Sequence, residues 1–497
     1  MADSVRPSGY RISLAYAAAE GVGHRISHLL VVFFAWVDRC LRASLFVRAS
    51  SAIAGTWSRA ASGSVFVGAL WPFAKMAVVP YDGQVSVETA LGLVLALACV
   101  APTEILIVAA SGVFLLFLWD RARKVRDGRE HSLLALPGFG TVLAAASALT
   151  FIVGATVSSV DPSKSFFNMV IWFFYFLVFF MAADASFRGR AENVIWPLLT
   201  GAAFSGLVSV YQKLTGWRPP KSWVDVAFEG DIVRMVGTFS NPTFFAEMMG
   251  LALPLTIALI LSKKDWRDRI VLLGFAAFQG IGLVLSSSRG AWLGFAVSFC
   301  VLAVLYDWRM LPLGLVAGGL GLAVAPPVLL RRLVSSFSLT DSSNAYRVFI
   351  WRGSLAMLKD NLLRGIGLGA ESFSKVYPEY MIIQTPAPHA HSTFLEFLIE
   401  VGLFGFLAMA CLLLVWAYDA LKVTFAEKSK GSVRWAEVAV LSAAIAAVGG
   451  HMLQGVIDYT WYSPKITAVF WAIVGIGAGI TASKLGGGKY SMGGDTL

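Results

Sequence analysis

The apolar residues of this chain come in repeated runs, near 85–101, 103–119, 133–157, 166–183, 194–212, 244–261, 270–287, 291–306, 311–330, 393–418, 436–457 and 466–483. Each run is about 16–25 residues, the length a helix needs to cross the roughly 30 Å hydrocarbon layer of a bilayer. Transmembrane strands would show short segments of alternating polarity instead. The chain is 57% hydrophobic and 14% charged, whereas ordinary soluble domains carry about 25% charged residues. The pattern therefore implies an all-α, polytopic helical membrane protein with about 12 transmembrane helices.

The net charge of +10 has a simpler source than nucleic-acid binding. Lys and Arg accumulate in membrane-protein loops that stay in the cytoplasm, so no nucleic-acid partner is expected. Residues 120–131, 185–193, 262–269 and 419–435 are short basic loops that fall on one side by alternation. That side is expected to be cytoplasmic, with both termini there and the protein multi-pass in the cytoplasmic (inner) membrane. Two larger loops, 213–243 and 331–392, then lie on the extracytoplasmic side. The second holds an amphipathic helix from Tyr346 through Leu363, with Val348, Trp351, Leu355, Leu358 and Leu362 at helical spacing. Gly365, Gly367 and Gly369 end it in a turn.

Three regions are expected. Residues 1–84 are basic and amphipathic and suit the inner interface; residues 85–483 form the transmembrane domain; residues 484–497 are a Gly-rich cytoplasmic tail. A true span near 29–47 would bury Asp38, Arg39 and Arg42, each at a cost of roughly 2.5–3.5 kcal/mol at the bilayer centre. The run at 63–80, interrupted by Lys75 and two prolines, leaves a second early span open. The first 28 residues contain no apolar h-region, so no cleavable signal peptide is expected. Cys99, Cys300 and Cys411, of four cysteines, lie within apolar runs without pairing or metal spacing.

Chemistry-bearing residues collect at the expected outer ends of the spans. Arg289 lies in the tight turn Ser286-Ser287-Ser288-Arg289-Gly290. It fits either a cation snorkelling to lipid phosphate or a fixed guanidinium for an anionic substrate, since the guanidinium fork suits bidentate phosphate binding. Arg234 precedes Asn241-Pro242, a turn and helix start whose free N–H groups would add partial positive charge. It also fits an ordinary loop arginine. His391 stands just before a helix start that Ser392 and Thr393 can cap. Its imidazole titrates near neutrality and could take a proton from a sugar hydroxyl, or be structural. His389-x-His391 suggests a metal pair without further ligands, so no metal site and no cofactor is expected. Arg347 and Arg352, Asp458 and Tyr459 are secondary candidates. Glu247, Glu396 and Glu400 should face the bundle interior, as a lipid-facing carboxylate is too costly.

In order and spacing, these stretches resemble the O-antigen ligase-like superfamily of membrane glycosyltransferases, which includes O-antigen ligases and Wzy-type polymerases. The resemblance runs over roughly residues 194–480. It rests on Arg234 through Asn241-Pro242, on Ser288-Arg289-Gly290, on Arg347…Trp351…Gly365-x-Gly367-x-Gly369, and on His391-Ser392-x-x-Leu395-Glu396 continuing to Glu400-x-Gly402. It implies metal-independent, inverting transfer of a glycan from an undecaprenyl-diphosphate-linked donor to a glycan, lipid or protein hydroxyl acceptor at the outer membrane face. By matching position, it makes His391 the general base and Arg234 and Arg289 the diphosphate-binding residues. The competing reading is a non-enzymatic transporter or flippase for a lipid-linked sugar. That activity calls for cations along a midplane cavity open to both sides.

Overall fold

A computed structural model describes residues 29, 32–33, 86–128, 138–218, 224–225, 232–323, 325–335, 342–430 and 435–486. The expectations for residues 1–84 and most of the C-terminal tail fall outside the described residues. The chain divides into two compact units, residues 1–76 with 111–135, and residues 77–110 with 136–497.

The helices are α1 (Val87–Leu97), α2 (Thr103–Arg126), α3 (Phe139–Val157), α4 (Pro162–Phe187), α5 (Ala191–Leu214), α6 (Pro242–Ser262), α7 (Trp266–Leu285), α8 (Arg289–Leu305), α9 (Met310–Ala323), α10 (Pro327–Ser335), α11 (Ser342–Asn361), α12 (Ala370–Val376), α13 (Thr393–Ser429), α14 (Trp435–Gln454) and α15 (Pro464–Gly486). Two-residue strands at Val224–Asp225 and Ile232–Val233 pair antiparallel. Among the described residues, nine helices are long and apolar enough to cross a membrane, and α1, α8 and α9 are shorter apolar helices. Together they match the twelve expected runs one for one. The protein is an all-α polytopic membrane protein.

Local sequence fixes where these helices begin. Asp161 and Asn241 each precede a proline at the first helical position, and their side chains accept from Lys164 N–H and Thr243 N–H. Packing within the second unit uses small residues. Gly475 and Gly479 let α15 lie directly on Phe179 and Ala183 of α4, and Gly294 of α8 meets Gly450 of α14 backbone to backbone.

Helix ends in the second unit separate into two sets. One carries ion pairs between basic and acidic residues: Arg188–Asp184 at 3.0 Å, Arg190–Glu88 at 3.0 Å, Lys263–Glu192, and Lys484–Glu437 at 2.5 Å. The other gathers the ends of α5, α7 and α14 and the starts of α6, α8, α13 and α15. At 11 residues, or about 16 Å of helix, α1 is too short to cross alone. It starts at the Arg190–Glu88 pair, and the carbonyls that follow it accept from Thr238 and Lys465 at the second set. The 234–241 segment reaches inward to meet it. Gln212 of α5 holds that segment, donating to the Gly237 carbonyl (2.7 Å) and accepting from Gly237 N–H (3.0 Å).

One expectation needs correction. The run at 393–418 is not one regular helix, because Gly402 at φ 71°, ψ 178° breaks α13. The break frees carbonyls at Ile399 and Glu400, which accept from Ile366 N–H (3.0 Å) and Gly367 N–H (3.1 Å) of the glycine segment. Leu403 N–H in turn donates to the Leu362 carbonyl at 2.7 Å. Non-helical backbone at this position is tolerated where freed groups such as these find protein partners. A Cβ at Gly402 would stand 2.5 Å from the Leu363 carbonyl oxygen.

The helix expected in the second loop is α11, and it buries one side. Ile350, Met357 and Leu358 are its buried apolar residues, packed with Ile366, Phe373, Tyr377, Ala390 and Ile399, whereas Leu355 and Leu362 remain exposed. Gly353 lies on the buried side, where the Tyr380 carbonyl approaches to 2.7 Å from the position a Cβ would take.

Candidate functional site

The turn between α7 and α8 collects arginines from three elements. Arg234 Nε donates to the Ser286 carbonyl at 3.1 Å, and Arg332 Nε of α10 donates to the Ser287 carbonyl at 3.4 Å. Met235 N–H donates to the Leu285 carbonyl at 3.0 Å, so the 234–241 segment lies alongside the turn. Two residues later Arg289 opens α8. Ser287 takes φ 51°, a left-handed conformation that costs a non-glycine residue roughly 1–2 kcal/mol. Such strain persists where the surroundings over-determine it and is concentrated at functional sites. Arg234 also reaches Thr243 at the start of α6, Nη2 to Oγ1 at 3.4 Å.

Asp458, just beyond α14, joins this turn to the rest of the site. Its Oδ1 accepts from Arg347 Nη2 of α11 at 2.7 Å. Its Oδ2 lies 2.6 Å from where a Cβ at Gly290 would be. Only glycine leaves room for that carboxylate at the first turn of α8, where the helix dipole favours negative charge. The same loop is fastened to the start of α13: Thr393 N–H donates to the carbonyls of Gly455 (2.7 Å) and Asp458 (3.0 Å), and Thr460 N–H donates to Thr393 Oγ1 (2.8 Å). His391 therefore stands beside Asp458 and Arg347.

His391 has φ 49°, and the backbone around it is tied at several points. Its N–H donates to His389 Nδ1 at 3.2 Å, and its carbonyl accepts from Trp351 Nε1 at 3.4 Å. Glu396, one turn into α13, reaches back to accept from Ala390 N–H at 2.6 Å. The rings of His389 and His391 are 4.3 Å apart, and His389 also packs on Tyr459 and Tyr462. His389 thus supports the His391 backbone, the part the sequence offered as half of a metal pair. Among the described residues no group of three His, Cys, Asp or Glu side chains could hold a metal ion.

Burial, and after it the Arg347 charge, push the His391 imidazole from 6.5 down to about 4; Asp458 opposes them. Burial, His391 and Arg347 likewise push His389 down to about 3. Both rings are therefore neutral at pH 7. If His391 acts as a base, kcat/KM should stay level from pH 8 to well below 6.5 and decline only as pH falls through about 4. Negative charge brought by a bound diphosphate favours the imidazolium. The acid limb of kcat should therefore lie at higher pH than that of kcat/KM. Parallel pH profiles of the two constants check this, and a common limb at 6.5 would exclude the buried-base assignment.

Glu396 and Glu400 are buried, as expected, and so is Glu247. Glu400 Oε1 accepts from Gly369 N–H (2.9 Å) and from the Tyr459 hydroxyl (3.4 Å), locking the glycine segment to the 455–463 loop. Burial and then Glu400 push the Tyr459 phenol well above its usual range, so it remains a donor. Glu396→Ala removes the acceptor that holds Ala390. We expect a loss of roughly 100-fold in kcat from a misplaced His391, with Glu396→Gln, which keeps a carbonyl oxygen, recovering most of it.

The sequence candidates Arg234, Arg289, Arg347, Asp458 and His391 thus lie on one connected set of helix ends. Arg352 is exposed. Two contributors were missed, Arg332 and Gln212. Arg332 did carry a signal, since a basic pair at the end of the 311–330 run opposes the usual charge distribution as Arg289 does.

Fold and site together define a multi-pass helical membrane protein with a basic, histidine-containing site where one set of helix ends meets. Residues 248–410 match the family model described as O-antigen ligase, a stretch that includes Arg289, Arg332, Arg347, His391, Glu396 and Glu400. Over that stretch, about a third of the chain, the protein is similar to the O-antigen ligase family. Arg234 and Asp458 lie outside the matched stretch and join it through the contacts above. No curated protein matches the chain.

Proposed function

We propose that this protein transfers a glycan from an undecaprenyl-diphosphate-linked donor to a hydroxyl acceptor, by inversion and without a metal, at the outer face of the cytoplasmic membrane. The observation that carries the proposal is the convergence of Arg234, Arg332 and Arg289 on one turn, joined through Asp458 to Arg347 and His391. The acceptor is a glycan, a lipid or a protein, each of which presents a hydroxyl. Both chain termini lie on the opposite, cytoplasmic side.

His391 takes the proton of the acceptor hydroxyl as its oxygen attacks the anomeric carbon. The bond from that carbon to the diphosphate oxygen breaks, and its electron pair leaves with the diphosphate. The charge that develops there is met by Arg234 and Arg289, assisted by Arg332 and the N-terminus of α8. The Asp458–Arg347 pair partly neutralises the guanidinium nearest the imidazole and so limits how far His391 basicity is suppressed. Grouping of the cations at one set of helix ends supports surface chemistry over transport, which calls for charged groups along a midplane path.

The test is purified protein in proteoliposomes with a polyprenyl-diphosphate donor labelled in its glycan and a hydroxyl acceptor. Label should pass to the acceptor with release of polyprenyl diphosphate, undiminished by EDTA. Movement of intact donor across the bilayer without bond cleavage would instead establish a transporter.

A further inference from the structure

Behind the site, between α6, α8 and α14, lies a small cavity of about 10 Å³ lined by Glu247, Gly294, Gly450, His451 and Gln454 among others. Glu247, His451 and Gln454 are 1%, 5% and 4% exposed. Both carboxylate oxygens of Glu247, Nε2 of His451 and Nε2 of Gln454 have no protein hydrogen-bond partner. Four unsatisfied atoms at one point inside a membrane domain are costly, since each buried polar group without a partner costs roughly 1–3 kcal/mol. The set combines acceptors (the carboxylate), a donor (the amide) and a nitrogen that can be either. A bare cation would satisfy the carboxylate but face the amide N–H. One water can donate to Glu247 and accept from Gln454, and the volume suits a single water.

The cavity is connected to the site. His451, Gln454 and Asp458 follow at three- and four-residue spacing and so share one side of α14 and its extension. Asp458 N–H donates to the Gln454 carbonyl at 3.0 Å, and Gln454 Cγ lies 3.5 Å from where a Cβ at Gly290 would be, next to Asp458 Oδ2. Whatever fixes Gln454 therefore fixes the carboxylate against the start of α8.

We infer that the cavity binds one water molecule bridging Glu247, His451 and Gln454, and that these three are positioning residues which set Asp458 against Gly290 and Arg347. The positioning role rests on the glycan-transfer reading; the water site does not.

Two measurements test it. A structure of the wild-type protein at a resolution that shows ordered water should contain a single peak within hydrogen-bonding distance of Glu247 and Gln454. An empty cavity, or a peak at the short, oxygen-only distances of a cation, overturns the water site. The second is the combined variant Glu247→Leu, His451→Leu, Gln454→Leu, which removes every polar partner at once. Replacing a buried polar cluster by apolar residues is often neutral or stabilising, so the melting temperature should hold. The kcat for glycan transfer should fall on the order of 10-fold or more with donor KM unchanged. Glu247→Gln, which keeps a carbonyl acceptor, should retain most of the wild-type kcat. A folded triple-leucine variant with wild-type kcat overturns the positioning role. Absence of transfer in the wild type sinks the glycosyltransferase proposal while the density result still decides the water site.

Discussion

His391→Ala should lower the kcat of glycan transfer by roughly 100- to 10,000-fold, the usual contribution of a positioned general base, with little change in donor KM. The split follows from where His391 sits. Its strained backbone is held by His389, Trp351 and the Glu396–Ala390 bond, none of which needs the imidazole itself. The arginines hang on a different element, the turn at Ser286–Ser288. Truncating the ring therefore removes the proton acceptor and leaves the diphosphate contacts in place. Turnover of donor and acceptor in proteoliposomes, with the melting temperature as a folding control, checks the result. Full activity in a folded His391→Ala protein would remove the base from the mechanism.

Arg289→Ala should reduce kcat by roughly 100- to 1,000-fold, comparable to removing one preorganised donor from an oxyanion site. Arg289→Lys should recover only part of that loss, because an ammonium keeps the charge but not the two-pronged geometry. The argument is positional. Arg289 is the first residue of α8, so its charge adds to the helix N-terminus, and Asp458 lies against the next residue. Negative charge appearing on a leaving diphosphate at this point is stabilised by groups already in place before the reaction begins. Steady-state kinetics of the two variants, with kcat and KM measured separately for donor and acceptor, provide the check. A Lys variant equal to wild type would show that charge alone suffices.

Much of the architecture was legible in the amino-acid sequence because lipid imposes a single strong rule: a span must be long, apolar and helical. All twelve apolar runs became helices, and α11 starts four residues and ends two residues before its expected limits. What the rule does not address was lost. Hydropathy is blind to Gly402, since a glycine that breaks α13 looks like any small residue in an apolar run. The shortness of α1 is decided by a partner, the inward-reaching 234–241 segment, over a hundred residues later in sequence.

The candidate site was legible residue by residue and not as a constellation. Arg234, Arg289 and His391 each stood out as a polar residue at a helix end. Nothing in their spacing required Arg234 to bond the Ser286 carbonyl or Asp458 to lie on Gly290. Arg332 falls within the expected 331–392 loop, yet it belongs to α10 and its side chain turns back to the Ser287 carbonyl. Contacts of this kind join residues 45 to 168 positions apart, beyond the reach of any local pattern.

One measurement bears most directly on the whole account: the anomeric configuration of the newly formed glycosidic bond, read by NMR on product made by the purified protein from a donor of defined configuration. A single displacement driven by the His391 base, with the diphosphate leaving into the arginines, yields the configuration opposite to the donor's. Product that keeps the donor's configuration would require a covalent or ion-pair intermediate that this arrangement does not provide, and would contradict the mechanism.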